Sequence, residues 1–137
     1  MTIAVDFDGT IVTHRYPEIG DELPFAIASL IRLQQDGHKL ILWTVREGKY
    51  LADAVDFCAK RGLTFYAVNS EYPGSAWSNK EVRKISADLY IDDCNFGGIP
   101  DWPTIYATIS GRQRHKKKGF FGRLRDRCRR ARDKYNR

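Results

Sequence analysis

An apolar run that ends in two carboxylates constrains this chain more than any other feature. Residues 2–5 lead directly into Asp6-Phe7-Asp8, and such a run is typical of a buried parallel strand. Carboxylates that emerge close together from a strand repel each other unless a cation offsets the repulsion, and a divalent metal is the obvious cation. The turn at Gly9-Thr10 adds backbone N–H groups that could bind an anion. The first ten residues therefore predict a nucleophile, a metal site and an anion cradle.

The following residues alternate between helix-like and strand-like patterns. Apolar residues at helical spacing, each series closed by glycine, predict helices from about Leu23 to Gln35 and from Gly48 to Arg61. Short apolar runs predict strands at 39–44, 63–68 and 87–91. The alternation favours an α/β fold with a parallel sheet. We expect the first helix to bury five apolar residues, Phe25, Ile27, Ala28, Ile31 and Leu33.

Three of the four predicted strands end in polar residues. These are Asp6 and Asp8 after the first strand, Thr44 at the end of the second, and Asp92-Asp93 after the fourth. Ligands bind at the carboxyl edge of open α/β sheets, so the residues should meet there. Clustered carboxylates beside a hydroxyl suit Mg²⁺ and a phosphate.

These residues resemble the motifs of the haloacid dehalogenase (HAD) superfamily, and specifically of its phosphohydrolases, over roughly residues 2–110. The first motif of that family, Asp-x-Asp-x-Thr after an apolar strand, stands here at residues 6–10. The second, a strand ending in Ser or Thr, matches 40–44, and the fourth, a strand ending in Asp-Asp, matches 90–93. The resemblance implies a three-layer Rossmann-like core. Halide-displacing relatives lack the second aspartate, so phosphate esters are favoured.

The resemblance also implies roles for individual residues. Asp6 would attack phosphorus and form an aspartyl phosphate, while Asp8 would protonate the leaving oxygen and later activate water. Mg²⁺ would be held by Asp6, the backbone carbonyl of Asp8 and Asp92, with Asp93 in support. The expected phosphate-binding groups are Thr44, the loop residues Gly9, Thr10 and Val45, and the lysine of the weakly defined third motif, Lys84 or else Lys80.

The chain has no room for the cap domain through which many HAD phosphatases select substrates. The resemblance is therefore to small cap-less members, whose site stays open unless a neighbouring subunit in a homo-oligomer or a bulky substrate covers it. His14, Arg15 and Arg46 are candidate substrate contacts at the predicted mouth, with an ordinary surface role as the alternative.

Charge divides the chain into two parts. Residues 1–111 carry 10 Lys or Arg against 15 Asp or Glu, whereas residues 112–137 carry 13 against 2. We interpret the first part as the HAD-like hydrolase domain and the second as a basic C-terminal tail. Apolar residues three and four apart in the tail predict an amphipathic helix, with a disordered extension as the alternative. They are Phe121, Leu124, Cys128, Ala131 and Tyr135. Such a tail could bind nucleic acid or an anionic membrane, or pair with another helix.

Neither a membrane span nor a disulfide is expected. No apolar run approaches the roughly 18 residues that a span requires, and the three cysteines are odd in number. The first strand begins too close to Met1 for a leader sequence, so we expect a cytoplasmic protein. We also expect Cys94 to be packed, and Trp43, Trp77 and Trp102 to act as core or loop anchors.

The leading hypothesis is a Mg²⁺-dependent phosphohydrolase that acts on a phosphorylated small molecule. The alternative is a catalytically vestigial HAD-like binding module that uses its basic tail to bind nucleic acid or an anionic membrane. An intermediate hypothesis is a phosphatase whose tail holds a macromolecular substrate beside the open site.

Overall fold

The computed structural model describes residues 1–74 and 84–111, in which strands and helices alternate. The strands are β1 (Thr2–Val5), β2 (Lys39–Leu42), β3 (Ala67–Val68) and β4 (Leu89–Ile91). The helices are α1 (Ala26–Gln35), α2 (Gly48–Ala59) and α3, residues 102–111. None of the described helices is both long and apolar enough to cross a membrane. The predicted tail, Trp77 and Lys80 lie outside the described residues.

The four strands form one parallel sheet in the order β3-β2-β1-β4, so the α/β fold is confirmed and is compatible with a Rossmann-like topology. The register places Val5 opposite both Leu42 and Ile91. Because the strands run in the same direction, the residues that follow these three leave the sheet side by side. The Asp6 N–H continues this pairing by donating to the Ile91 carbonyl at 3.0 Å.

Alternate residues of the strands face two separate apolar clusters. The larger cluster joins Ile3 and Val5 to α1, α2 and α3. The smaller one joins Ala4 and Ile41 on the opposite face to Ile85, in the segment before β4. In residues 1–74 and 84–111 the helices therefore pack on one face of the sheet. The expected three-layer arrangement stays a prediction because residues 75–83 are not described.

Helix α1 begins later than the sequence pattern indicates. Phe25 has a left-handed backbone conformation (φ 64°) and a 65% exposed residue surface. The helix therefore starts at Ala26, and its buried side differs from the predicted one. Phe25 and Ala28 are exposed, so these two assignments were wrong. Ile27 and Leu33 are buried, and Ile31 is half-buried against the core. The buried residues of α1 are Ala26, Ile27, Ser29, Leu30 and Leu33.

Helix α3 was not predicted, although its first turn carries a recognisable capping pattern. Asp101 precedes the helix and accepts hydrogen bonds from the Thr104 N–H (3.0 Å) and the Thr104 hydroxyl (2.8 Å). These bonds favour the charged carboxylate and lower the pKa of Asp101. An aspartate that satisfies the first N–H groups of a helix is a common N-terminal signal. The sequence therefore contained the information needed to place α3.

Candidate active site

A cleft of about 600 Å³ lies at the carboxyl edge of the sheet. Each strand contributes to it through the residues that follow: Asp6 after β1, Thr44 after β2, Asn69 after β3 and Asp92 after β4. The remaining lining residues are Trp43, Val45, Arg46, Glu47, Gly48, Leu51 and Val68. The sheet register thus brings together at one cleft three of the polar residues that the sequence singled out.

Asp6 is surrounded by negative charge. Burial raises its pKa to about 7, and the neighbouring Asp92 and Asp93 carboxylates contribute to the rise. Hydrogen bonds from the Phe7 backbone and the Thr10 hydroxyl oppose it only in part. Within the described ranges, no Lys or Arg side chain forms an ion pair with these three aspartates. The arrangement favours a cation from solution, and carboxylate oxygens are ligands that suit Mg²⁺.

The buried Thr10 connects Asp6 to the loop after β4. Its hydroxyl lies 3.3 Å from Asp6 Oδ2 and 3.4 Å from Asp93 Oδ1, and it accepts the Asp93 N–H at 3.1 Å. The indole N–H of Trp102 donates to the Thr10 carbonyl at 2.9 Å. Trp102 is only 2% exposed and therefore anchors α3 to the site. This confirms its predicted role as an anchor.

Gly9 allows Asp93 to approach the backbone. Its φ is +79°, and a Cβ at this position would lie 2.2 Å from Asp93 Oδ2. The Gly9 N–H donates to the Val12 carbonyl at 2.7 Å, and the Thr10 N–H donates to the Phe7 carbonyl at 3.3 Å. Because both N–H groups are used within the loop, the anion cradle predicted at Gly9-Thr10 is not formed. Gly9 and Thr10 shape the carboxylate cluster instead.

Asp8 has a different environment from Asp6, although only one residue separates them. The Arg46 guanidinium contacts both of its carboxylate oxygens, from Nε to Oδ2 and from Nη2 to Oδ1, each at 2.7 Å. This side-chain hydrogen bonding, with the charge of Asp8, raises the pKa of Arg46 against the opposing effect of burial. Both oxygens of Asp8 thus accept from Arg46, and the group of Asp8 expected at a metal site is its backbone carbonyl.

The structure does not place Arg46 at the mouth as an exposed substrate contact. Its side chain is fully buried, and it also donates to the carbonyls of Pro17 (3.0 Å) and Glu18 (2.8 Å). Its guanidinium is therefore engaged inside the protein. The other two candidate contacts, His14 and Arg15, are exposed in the loop after β1.

The loops after β2 and β3 support each other beside the cleft. The Thr44 N–H donates to the Asn69 side-chain oxygen at 2.8 Å, and the Thr44 hydroxyl accepts the Arg46 N–H at 3.2 Å. Val45 between them is 88% exposed. Asn69, whose φ is +49°, was not predicted as a site residue. A polar residue directly after the third apolar run was the signal that could have found it.

The predicted lysine lies beside an aromatic ring. Lys84 is exposed, and its Nζ lies 4.3 Å from the centre of the Tyr90 ring. Across the described part of the chain, Lys84 forms no ion pair with a carboxylate. Its assignment as the third-motif lysine therefore stays a prediction.

Cys94 is exposed, so the expectation of a packed thiol was wrong. It follows Asp92 and Asp93, and one ligand atom from each of the three residues lies within 4.8 Å of the others. The two carboxylates raise the pKa of the Cys94 thiol by disfavouring the negatively charged thiolate. The thiol form is therefore the stable one beside this cluster.

Comparison with known proteins gives one informative match. No protein-family profile and no curated protein matches the chain. Among solved structures, the chain is similar to a conserved protein coded by a locus of Bacteroides thetaiotaomicron. The two are 58% identical with a TM-score of 0.75, and the match covers 82% of this chain and 91% of the other. The chain therefore belongs to the same family as this conserved Bacteroides thetaiotaomicron protein.

Proposed function

We propose that the chain is a Mg²⁺-dependent phosphohydrolase of the HAD type that acts on phosphate monoesters of small molecules. The observation that carries the proposal is the position of Asp6 in the cleft, next to Asp92 and Asp93 and with no ion-pair partner among the described residues. A site with this donor set fits a hard divalent cation. Asp6, Asp92 and Asp93 would hold it.

The chemistry would proceed in two displacements. An Asp6 oxygen attacks phosphorus and forms an acyl phosphate as the ester P–O bond breaks. The leaving oxygen takes its proton from the protonated form of Asp8, in which one oxygen carries the proton and the other keeps its hydrogen bond from Arg46. Asp8 then accepts a proton from water, whose oxygen attacks phosphorus and restores the Asp6 carboxylate. The Thr44 hydroxyl and the N–H group of Val45 are the proposed donors to the phosphoryl oxygens. Bound Mg²⁺ would neutralise charge on the transferring group.

The test is hydrolysis of p-nitrophenyl phosphate by the full chain, with Asp6→Asn as the decisive variant and Asp53→Asn, on the exposed surface of α2, as the control. We expect Asp6→Asn and chelation to abolish turnover, Mg²⁺ to restore the chelated protein, and Asp53→Asn to behave as the parent. Activity that survives Asp6→Asn or is indifferent to chelation would contradict the proposal.

A further inference from the structure

The Arg46 side chain is held by several contacts beside the cleft. Four of its five N–H groups donate: two to the Asp8 carboxylate, one to the Pro17 carbonyl and one to the Glu18 carbonyl. The guanidinium carbon also lies 5.1 Å from the centre of the Phe7 ring and 5.2 Å from that of Tyr16. The guanidinium therefore cannot rotate without breaking several contacts at once.

This arrangement joins three parts of the carboxyl edge. The backbone of Arg46 donates to the Thr44 hydroxyl, and its side chain joins Asp8 after β1 to the loop that holds Pro17 and Glu18. The plane of the Asp8 carboxylate is fixed because two parallel hydrogen bonds define it.

A purely stabilising role does not explain the arginine well. A buried ion pair adds little net stability compared with apolar residues of similar volume, because both charges must be removed from water. The bidentate geometry does, however, specify the orientation of the carboxylate.

We propose that Arg46 is a positioning residue that acts through Asp8, fixing the plane of the Asp8 carboxylate and holding the loop at residues 16–18 against it. This inference rests on the proposed phosphohydrolase function. It replaces substrate binding, the role expected for Arg46 from the sequence, with control of the acid–base group.

The kinetic test compares four proteins: the parent, Arg46→Lys, Asp8→Asn and the double variant. The two substrates are p-nitrophenyl phosphate, which has a good leaving group, and glycerol phosphate, which has a poor one. Lysine keeps the charge but cannot form the two parallel hydrogen bonds. Because a poor leaving group needs the acid most, Arg46→Lys should lower kcat/KM for glycerol phosphate about 100-fold, within the usual range for acid–base catalysis. The loss for p-nitrophenyl phosphate should stay below about threefold, and Arg46→Lys should have no further effect when Asp8 is already Asn. Equal losses on both substrates, or additive losses in the double variant, would overturn the proposal.

A second measurement does not depend on catalysis. Trypsin can cleave after Arg15, directly before the loop that Arg46 holds, and mass spectrometry can follow this cleavage in the full chain. We expect Arg46→Lys to accelerate it at least tenfold. Unchanged cleavage would refute the proposed link to the loop even if no substrate were turned over.

The matched control is Arg61→Lys, since Arg61 lies over the Phe57 ring at 3.5 Å and donates to the Phe57 carbonyl away from the cleft. It should change neither the kinetics nor the cleavage after Arg15. If the parent shows no turnover that depends on Asp6, the phosphohydrolase proposal is contradicted. The rate of trypsin cleavage after Arg15 tests the link between Arg46 and the loop independently of turnover.

Discussion

The surroundings of Asp6 and Asp8 show two opposite treatments of a carboxylate. Asp6 lies beside Asp92 and Asp93, and its pKa is raised to about 7. Asp8 is only 7% exposed, yet it has a buried arginine on both of its oxygens. Burial raises the pKa of Asp6, and the neighbouring carboxylates add to that rise, whereas the buried Asp8 has a positive charge beside it. Asp8 is neutralised within the protein, whereas Asp6 remains dependent on a cation or a proton from outside.

Interrupting the Asp8–Arg46 pair should have the largest effect on the free energy of unfolding. We expect Arg46→Met to lower the free energy of unfolding by about 3–5 kcal/mol, because Asp8 would remain as a buried charge without its partner. Urea denaturation at neutral pH measures the change. The double variant Arg46→Met with Asp8→Leu should recover most of the loss, since no unpaired charge remains. A single variant that is as stable as the parent would show that the pair is not effectively buried.

The crowding around Asp6 can be tested through Gly9. Gly9→Ala should lower the free energy of unfolding by about 2–4 kcal/mol, because the new methyl group must displace the Asp93 carboxylate and φ is unfavourable for alanine. Gly37→Ala is the matched control: its φ is +88° but no heavy atom lies within 4 Å of the place that the new methyl group would occupy, so it should cost only about 1 kcal/mol. Equal effects in urea denaturation would argue against the close approach of Asp93.

The pH dependence of stability tests the environment of Asp6. The folded pKa of Asp6 is about 7 against an ordinary value of 3.8, so the folded state binds this proton more tightly and loses stability as pH rises from about 4 to about 7. The full difference corresponds to at most about 4 kcal/mol, which solvent screening reduces to about 1–2. Without metal at pH 8, Asp6→Asn should therefore be more stable than the parent by about 1–2 kcal/mol in urea denaturation. Asp53→Asn should show no such gain, and an Asp6→Asn variant less stable than the parent at pH 8 would be contrary to expectation.

A smaller effect is expected from Mg²⁺ itself. At concentrations several times its dissociation constant, the ion should stabilise the folded chain by about 1 kcal/mol, because it binds the folded cluster and not the unfolded chain. Thermal denaturation at pH 8 with and without Mg²⁺ measures this. Asp92→Asn should weaken the response, whereas Asp53→Asn should retain it; a response equal in all three proteins would indicate non-specific ion binding.

The sequence predicted those parts of the site that depend on strand register. Asp6, Thr44 and Asp92 each follow a short apolar strand, and parallel pairing alone brings them to one edge. The pairing of Asp8 with Arg46 was not predicted, because it depends on the path of two loops rather than on periodicity. The start of α1 was misplaced for a similar reason, since the left-handed conformation of Phe25 leaves no mark in the apolar pattern.

The hydrogen bond from Trp102 to Thr10 bears on the order in which the site can be assembled during synthesis. Thr10, in the same segment as Asp6, is made 92 residues before the tryptophan that becomes its hydrogen-bond partner. Until residues 89–91 have been made, the segment that carries Asp6 also lacks β4, its neighbour in the finished sheet. The environment of the earliest-made site residue is therefore among the last features of the described fold to be completed.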